Sequence, residues 1–111
     1  MFVDLKQKEN TLCCKLLTPR IDGSNHMLDA LNEFLQNQGA DALQGIHEFE
    51  IDFGQVEYLN SSGISELVNI YRLVTDRSRG QIHFRFVNVR SRIHSIMELV
   101  EFTKLADVHT I

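Results

Sequence analysis

Between Glu48 and Phe53 the chain alternates strictly, with Phe49, Ile51 and Phe53 set against Glu48, Glu50 and Asp52. A period of two is the mark of a strand with one buried face. The same period returns where Ile82, Phe84 and Phe86 interleave with Gln81, His83 and Arg85. Two earlier stretches, Phe2 to Gln7 and Thr11 to Leu17, read as strands of a hairpin turning at Lys8-Glu9-Asn10. Elsewhere the spacing lengthens to that of a helix. Met27, Leu28, Leu31, Phe34 and Leu35 predict a first helix, capped by Ser24 or Asn25 and stopping near Gly39. Ile64, Leu67, Val68 and Tyr71, joined by Ile70 and Val74, predict a second that ends around Arg79-Gly80. Ile93, Ile96, Met97 and Val100 mark a third, and residues 108–111 suit a last short strand. Thr18 to Gly23, with the only proline at Pro19, reads as a loop.

The order strand, strand, helix, strand, helix, strand, helix, strand defines an α/β fold. The expected architecture is a single small domain over residues 1–111, with a mixed β-sheet that opens on an antiparallel hairpin. Charge on every second residue of two strands leaves one sheet face wet, so the helices are expected to pack mainly on the other. The core is expected to draw on Phe49, Ile51, Phe53, Ile64, Leu67, Val68, Ile82, Phe84, Phe86, Ile93, Met97 and Val100.

Composition narrows the function. The 111 residues are 43% hydrophobic and 23% charged, an ordinary globular balance. The N-terminus lacks the basic start and apolar stretch of a signal peptide, and no apolar run suggests a membrane span. The two cysteines, Cys13 and Cys14, are sequence neighbours, which on a strand point to opposite faces. They make a poor disulfide and no metal cluster, as expected of a cytoplasmic, reducing setting. Residues 1–70 carry four Lys/Arg against eleven Asp/Glu, whereas residues 71–111 carry seven against four. Arg72, Arg77, Arg79, Arg85, Arg90 and Arg92 make the second segment basic, and RNA or an acidic partner is one use of such a stretch. Solvated helix and strand faces account for it more simply, and the net charge of −4 argues against nucleic acid.

Enzymatic signatures are missing. The five histidines show no ligand spacing, and there is no Walker lysine and no dinucleotide-binding glycine pattern. Ser61-Ser62-Gly63 lacks the glycine that precedes the serine of a nucleophile elbow, and Asp52-Phe53-Gly54 is a strand end in a chain too short for a kinase. No enzyme, no cofactor and no metal are expected. What remains is Tyr58-Leu59-Asn60-Ser61-Ser62-Gly63-Ile64, where a strand gives way to a helix. Ser or Asn there caps the helix by accepting orphan N–H groups. A phosphate on a serine at the same place would face free N–H groups and the positive end of the helix dipole, which makes a plausible switch.

Leu59-Asn60-Ser61-Ser62-Gly63-Ile64 resembles the D-S-S-G-[LI] motif of the STAS family, whose type members are bacterial anti-sigma-factor antagonists. The likeness extends to the opening hairpin, to Arg20-Ile21-Asp22 in the place of the family's E-L-D, and to the later strands and helices, over residues from about 2 to 108. The resemblance implies a partner-switching regulator. Unphosphorylated, it would bind an anti-sigma factor or a GHKL-type serine kinase; phosphorylation would release it, and a PP2C-type phosphatase would reset it. No nucleic acid and no membrane partner is implied. Ser61 takes the place of the phosphorylated serine, with Ser62 the second choice, and Asp22, Asn60, Ser61, Ser62 and Gly63 form the implied switch surface. The alternative is a STAS interaction scaffold that is never phosphorylated. Two departures stand out: Asn60 replaces the usual Asp, and the chain ends at Ile111 without the fourth helix that often closes the domain.

Overall fold

The computed structural model describes residues 3–39 and 43–111. Strands β1 (Val3–Lys8) and β2 (Thr11–Leu16) form the antiparallel hairpin, with Lys8 opposite Thr11. The turn is therefore Glu9-Asn10 alone: Lys8 belongs to the strand, and Glu9 takes the left-handed conformation that closes so tight a link. Leu17 falls beyond β2 and is exposed, while Phe2 lies outside the described residues. Then follow β3 (Arg20–Ile21), α1 (Met27–Gln38), β4 (Glu48–Asp52), β5 (Tyr58–Leu59), α2 (Ser61–Ser78), β6 (His83–Val89), α3 (Ser91–Leu99), a 3-10 turn (Phe102–Lys104) and β7 (Asp107–Thr110).

The main sheet has the order β1-β2-β4-β6-β7, parallel from β2 onward. Each crossover steps in the same direction across the sheet. Because such crossovers are right-handed, one direction of travel puts α1, α2 and α3 on one face. The register confirms it. Leu12 pairs with Phe49 and Phe49 with Phe84, while Cys14, Ile51 and Phe86 form the next row, and all six are buried. On the opposite face lie Lys15, Glu48, Glu50, Asp52 and Arg85. Arg85 ties this face together through ion pairs to Glu50 at 2.5 Å and Glu48 at 3.4 Å.

Aromatic rings dominate the core, with Phe49 on Phe84 at 5.2 Å and Phe53 on Phe86 at 5.3 Å between ring centroids. Such pairs add about 0.5–1.5 kcal/mol beyond burial alone. Of the expected core, Phe49, Ile51, Phe53, Leu67, Ile82, Phe84, Phe86, Ile93 and Met97 are buried. Ile64 and Val68 are only half-buried, because the buried stripe of α2 runs through Gly63, Leu67, Ile70 and Val74. Val100 is 44% exposed, since α3 ends at Leu99 and the left-handed Glu101 turns the chain away. Cys13 and Cys14 are free thiols on opposite faces of β2, and burial pushes the Cys14 thiol up to about 12.

The basic segment is not one patch. Arg72, Arg77 and Arg79 lie on or just after α2, Arg85 is engaged with Glu48 and Glu50, and Arg90 donates to the Gly54 carbonyl.

Candidate functional site

Two segments predicted as loop and motif meet as a second, two-stranded sheet. Arg20 pairs with Tyr58 and Ile21 with Leu59, in parallel. Arg20-Ile21 is thus a strand and not part of a loop. Ile21 and Leu59 point into the core, leaving Arg20 and Tyr58 outside, with the Arg20 guanidinium carbon 4.1 Å from the Tyr58 ring centroid. The Pro19 carbonyl accepts from the Glu57 and Tyr58 N–H groups, and the Ile21 carbonyl accepts from Asn60 N–H. These bonds bring Asp22 alongside Asn60, at the start of α2.

Asn60 is the cap of α2. Its Oδ1 accepts from Gly63 N–H at 2.9 Å, and its carbonyl accepts the first helical bond from Ile64 N–H. Ser61 and Ser62, which a serine-capped reading would make the cap, instead occupy the first two helical positions and are exposed. Their N–H groups precede the first helical bond, as orphan donors do. The first turn carries no acidic side chain, so its own residues leave the positive end of α2 uncompensated. Asn60→Ala is expected to cost about 1 kcal/mol and Ser62→Ala less than about 0.5, a difference that urea unfolding resolves. Asn60→Asp keeps the acceptor and adds charge at the helix start, so its stability should match or slightly exceed that of the native chain.

The loop after β3 is built around two polar side chains. Asn25 is only 5% exposed; its Oδ1 accepts from Asp22 N–H at 3.1 Å, and its Nδ2 donates to the Arg20 carbonyl at 2.9 Å. Ser24 donates its hydroxyl to Asp22 Oδ1 at 2.6 Å and its N–H to the same oxygen at 3.1 Å. Neither Ser24 nor Asn25 caps α1, because both side chains are committed to this loop. The residue before α1 is His26, left-handed and without a side-chain cap. The open Met27 N–H is satisfied from across the fold, by Glu66 Oε1 of α2 at 3.1 Å.

The loop lies directly on α2. A Cβ at Gly23, where φ is +91°, would come 2.7 Å from the Ser62 Cβ, and one at Gly63 would collide with the Ile21 carbonyl. Ser62, Gly63 and Glu66 therefore hold residues 21–27 against the helix. Asp22 adds the nearby charge: its bonds from Ser24, with help from Arg20 at 3.8 Å, hold its carboxyl below the ordinary range. The stability this lends is present above the ordinary carboxylate range and is lost as the pH falls through the lowered value. The five residues singled out in the motif and its flanking loop thus come together. Arg20, Tyr58 and Asn25, each noted in the sequence for another reason, complete the frame together with Glu66, which no short-range signal announces.

Fold and site together describe a small α/β domain that presents an exposed serine pair at a capped helix start, framed by a second loop. The chain belongs to the STAS family: the STAS domain model matches residues 5–110. No curated protein sequence matches it. Among solved structures it is similar to an anti-sigma-factor antagonist (STAS) domain protein from Planctomyces limnophilus, with 14% identity and a TM-score of 0.70, covering 97% of this chain and 88% of that one. It is also similar to the anti-sigma factor antagonist SpoIIAA in its unphosphorylated form, with 11% identity and a TM-score of 0.58 over 87% of this chain and 82% of that one. The murine Slc26a9 anion transporter resembles 96% of the chain, at 13% identity and a TM-score of 0.70, over 17% of its own length. At these identities the likeness is one of fold. Among the described residues, no helix is long and apolar enough to cross a membrane, and no group of three or more His, Cys, Asp or Glu is placed to hold a metal.

Proposed function

We propose that this STAS domain is a cytoplasmic partner-switching regulator, binding an anti-sigma factor or GHKL-type serine kinase through the start of α2 and released when Ser61 is phosphorylated. The observation that carries this reading is Ser61 itself. It is exposed at the first position of α2, beside orphan N–H groups and with no acid in the first turn. A phosphate there adds about −1.5 to −2 charges to the surface while the helix start holds it without unfolding. Phosphorylation thus changes what the surface presents, and a PP2C-type phosphatase restores it. The protein performs no chemistry of its own in this scheme.

Intact mass before and after incubation with the cognate kinase and ATP, followed by mapping of the modified residue, tests the assignment. The expected result is one phosphate, on Ser61. Phosphate on Ser62 moves the switch by one residue. Phosphate on neither favours the alternative, a STAS scaffold that binds constitutively through α2. Asn60 is the residue that favours this second reading, because it removes the negative charge that the family motif carries next to the serine.

Asp22 belongs to the same surface. Asp22→Asn preserves its shape but removes its charge beside the switch. It is expected to alter partner affinity or phosphorylation rate, measured by calorimetry and by initial rates, with little change in thermal stability. Unchanged values of both would take Asp22 out of the binding surface.

A further inference from the structure

The two edges of the main sheet are unlike. On β1 the lysines Lys6 and Lys8 blunt the edge, as native edge strands commonly do. The opposite edge, β7, has the sequence Asp107-Val108-His109-Thr110 and no lysine, arginine or proline. We propose that β7 is the pairing edge of a homodimer, in which two copies join antiparallel through this strand and their five-stranded sheets become one continuous sheet. The proposal does not involve Ser61 and stands apart from the switch.

The backbone supplies the first argument. Ile111 N–H donates to the Val89 carbonyl at 3.0 Å, so by the alternation of a strand the odd-numbered residues of β7 turn their polar groups toward β6. Val108 and Thr110 turn theirs to the free edge. A two-fold axis through Val108 makes the two Val108 residues a hydrogen-bonded pair. It also sets each Thr110 N–H against the Ala106 carbonyl of the second copy. Ala106 N–H is already bonded to Phe102, so only its carbonyl is needed.

The side chains supply the second. Asp107 and His109 lie on the same, open face of the sheet, and in this register each Asp107 stands opposite His109 of the second copy. The strand is thus complementary to itself, with two imidazole–carboxylate pairs flanking the central valines. Asp107 is already oriented by His83 Nε2, which lies 2.7 Å from Oδ2 and leaves Oδ1 for the second copy. A third argument is apolar: Leu99, Val100 and Leu105, at 84%, 44% and 42% exposed, all lie on the stretch leading from the end of α3 into β7. Exposed large apolar side chains on the segment that enters an edge strand are the kind of surface an interface covers.

Sedimentation equilibrium over a concentration series of the full chain tests this, with circular dichroism confirming the fold of each variant. The native mass is expected to rise from 12.8 kDa toward twice that value. His109→Asp sets carboxylate against carboxylate twice and should weaken association at least about tenfold. Exchanging the pair, with Asp107→His and His109→Asp together, restores the complementarity and should restore the dimer. Thr110→Pro removes an N–H that faces outward, so it should weaken association while sparing the parent sheet. A native chain that stays monomeric throughout, or a dimer indifferent to His109→Asp and Thr110→Pro, would overturn the proposal. Failure of the exchanged pair to recover what His109→Asp loses would overturn the register centred on Val108. An edge that pairs only with a peptide of another protein would appear as a monomer, and overturns the homodimer equally.

Discussion

Gly63→Ala is expected to cost about 3 kcal/mol or more, a large share of the roughly 5–15 kcal/mol that holds a domain together. On helix propensity alone the same change should stabilise α2 by close to 1 kcal/mol, so the two arguments predict opposite signs. Sterics decide between them. The added Cβ would sit 2.7 Å from the Ile21 carbonyl carbon and 3.0 Å from its Cγ2, with the carbonyl oxygen nearer still. Ile21 has nowhere to retreat: it is fully buried, pairs with Leu59 and accepts from Asn60 N–H. Thermal unfolding should show a drop of about 15 °C. Asn69→Ala, on the exposed face of the same helix, should stay within about 0.5 kcal/mol of the native chain. If Gly63→Ala proved as stable as its parent, β3 would have to be free to move off the helix.

The largest effect on binding is expected at Ser61. If partners read the bare serine surface, Ser61→Asp should weaken capture of the anti-sigma factor or kinase at least about tenfold, since like charges forced together are costly. The fold should be unharmed, because a carboxylate at a helix start is favourable. Ser61→Ala should bind as the native chain does and ignore the kinase. One carboxylate carries less charge than the roughly −1.5 to −2 of a phosphate, so authentic phosphorylation should weaken binding further than Ser61→Asp. Calorimetry with the isolated partner measures all three forms. Native affinity in Ser61→Asp would remove Ser61 from the switch surface.

How much of this was legible depends on how far each signal reaches along the chain. β4 and β6 announce themselves because a half-buried strand stamps its period on consecutive residues, and their buried rows are the ones anticipated from Phe49, Ile51, Phe84 and Phe86. Helical spacing located α2 but blurred its stripe, since Ile64 and Val68 sit one position off the buried line. β3 and β5 are two residues long, too short to show any period, and exist because each is the other's partner. The cap of α2 falls among three adjacent residues that all cap well, and only geometry selects Asn60. The start of α1 is the plainest limit. Its N–H is answered by Glu66, a residue 39 positions away, and no local rule would look there.

The pairing of β3 with β5 also has a consequence for how the serines can be recognised. A synthetic peptide spanning residues 57–66 would carry both serines and the cap but would lack Arg20, Asp22 and the rest of the opposing loop. It would also be too short to hold a helix by itself. If a partner reads this surface, what it meets on the folded protein is a conformational epitope, assembled only once distant stretches of chain have closed on each other. Any kinase or binding partner that reads this epitope discriminates between finished and unfinished molecules, and passes over the unfolded chain although the motif is intact in it.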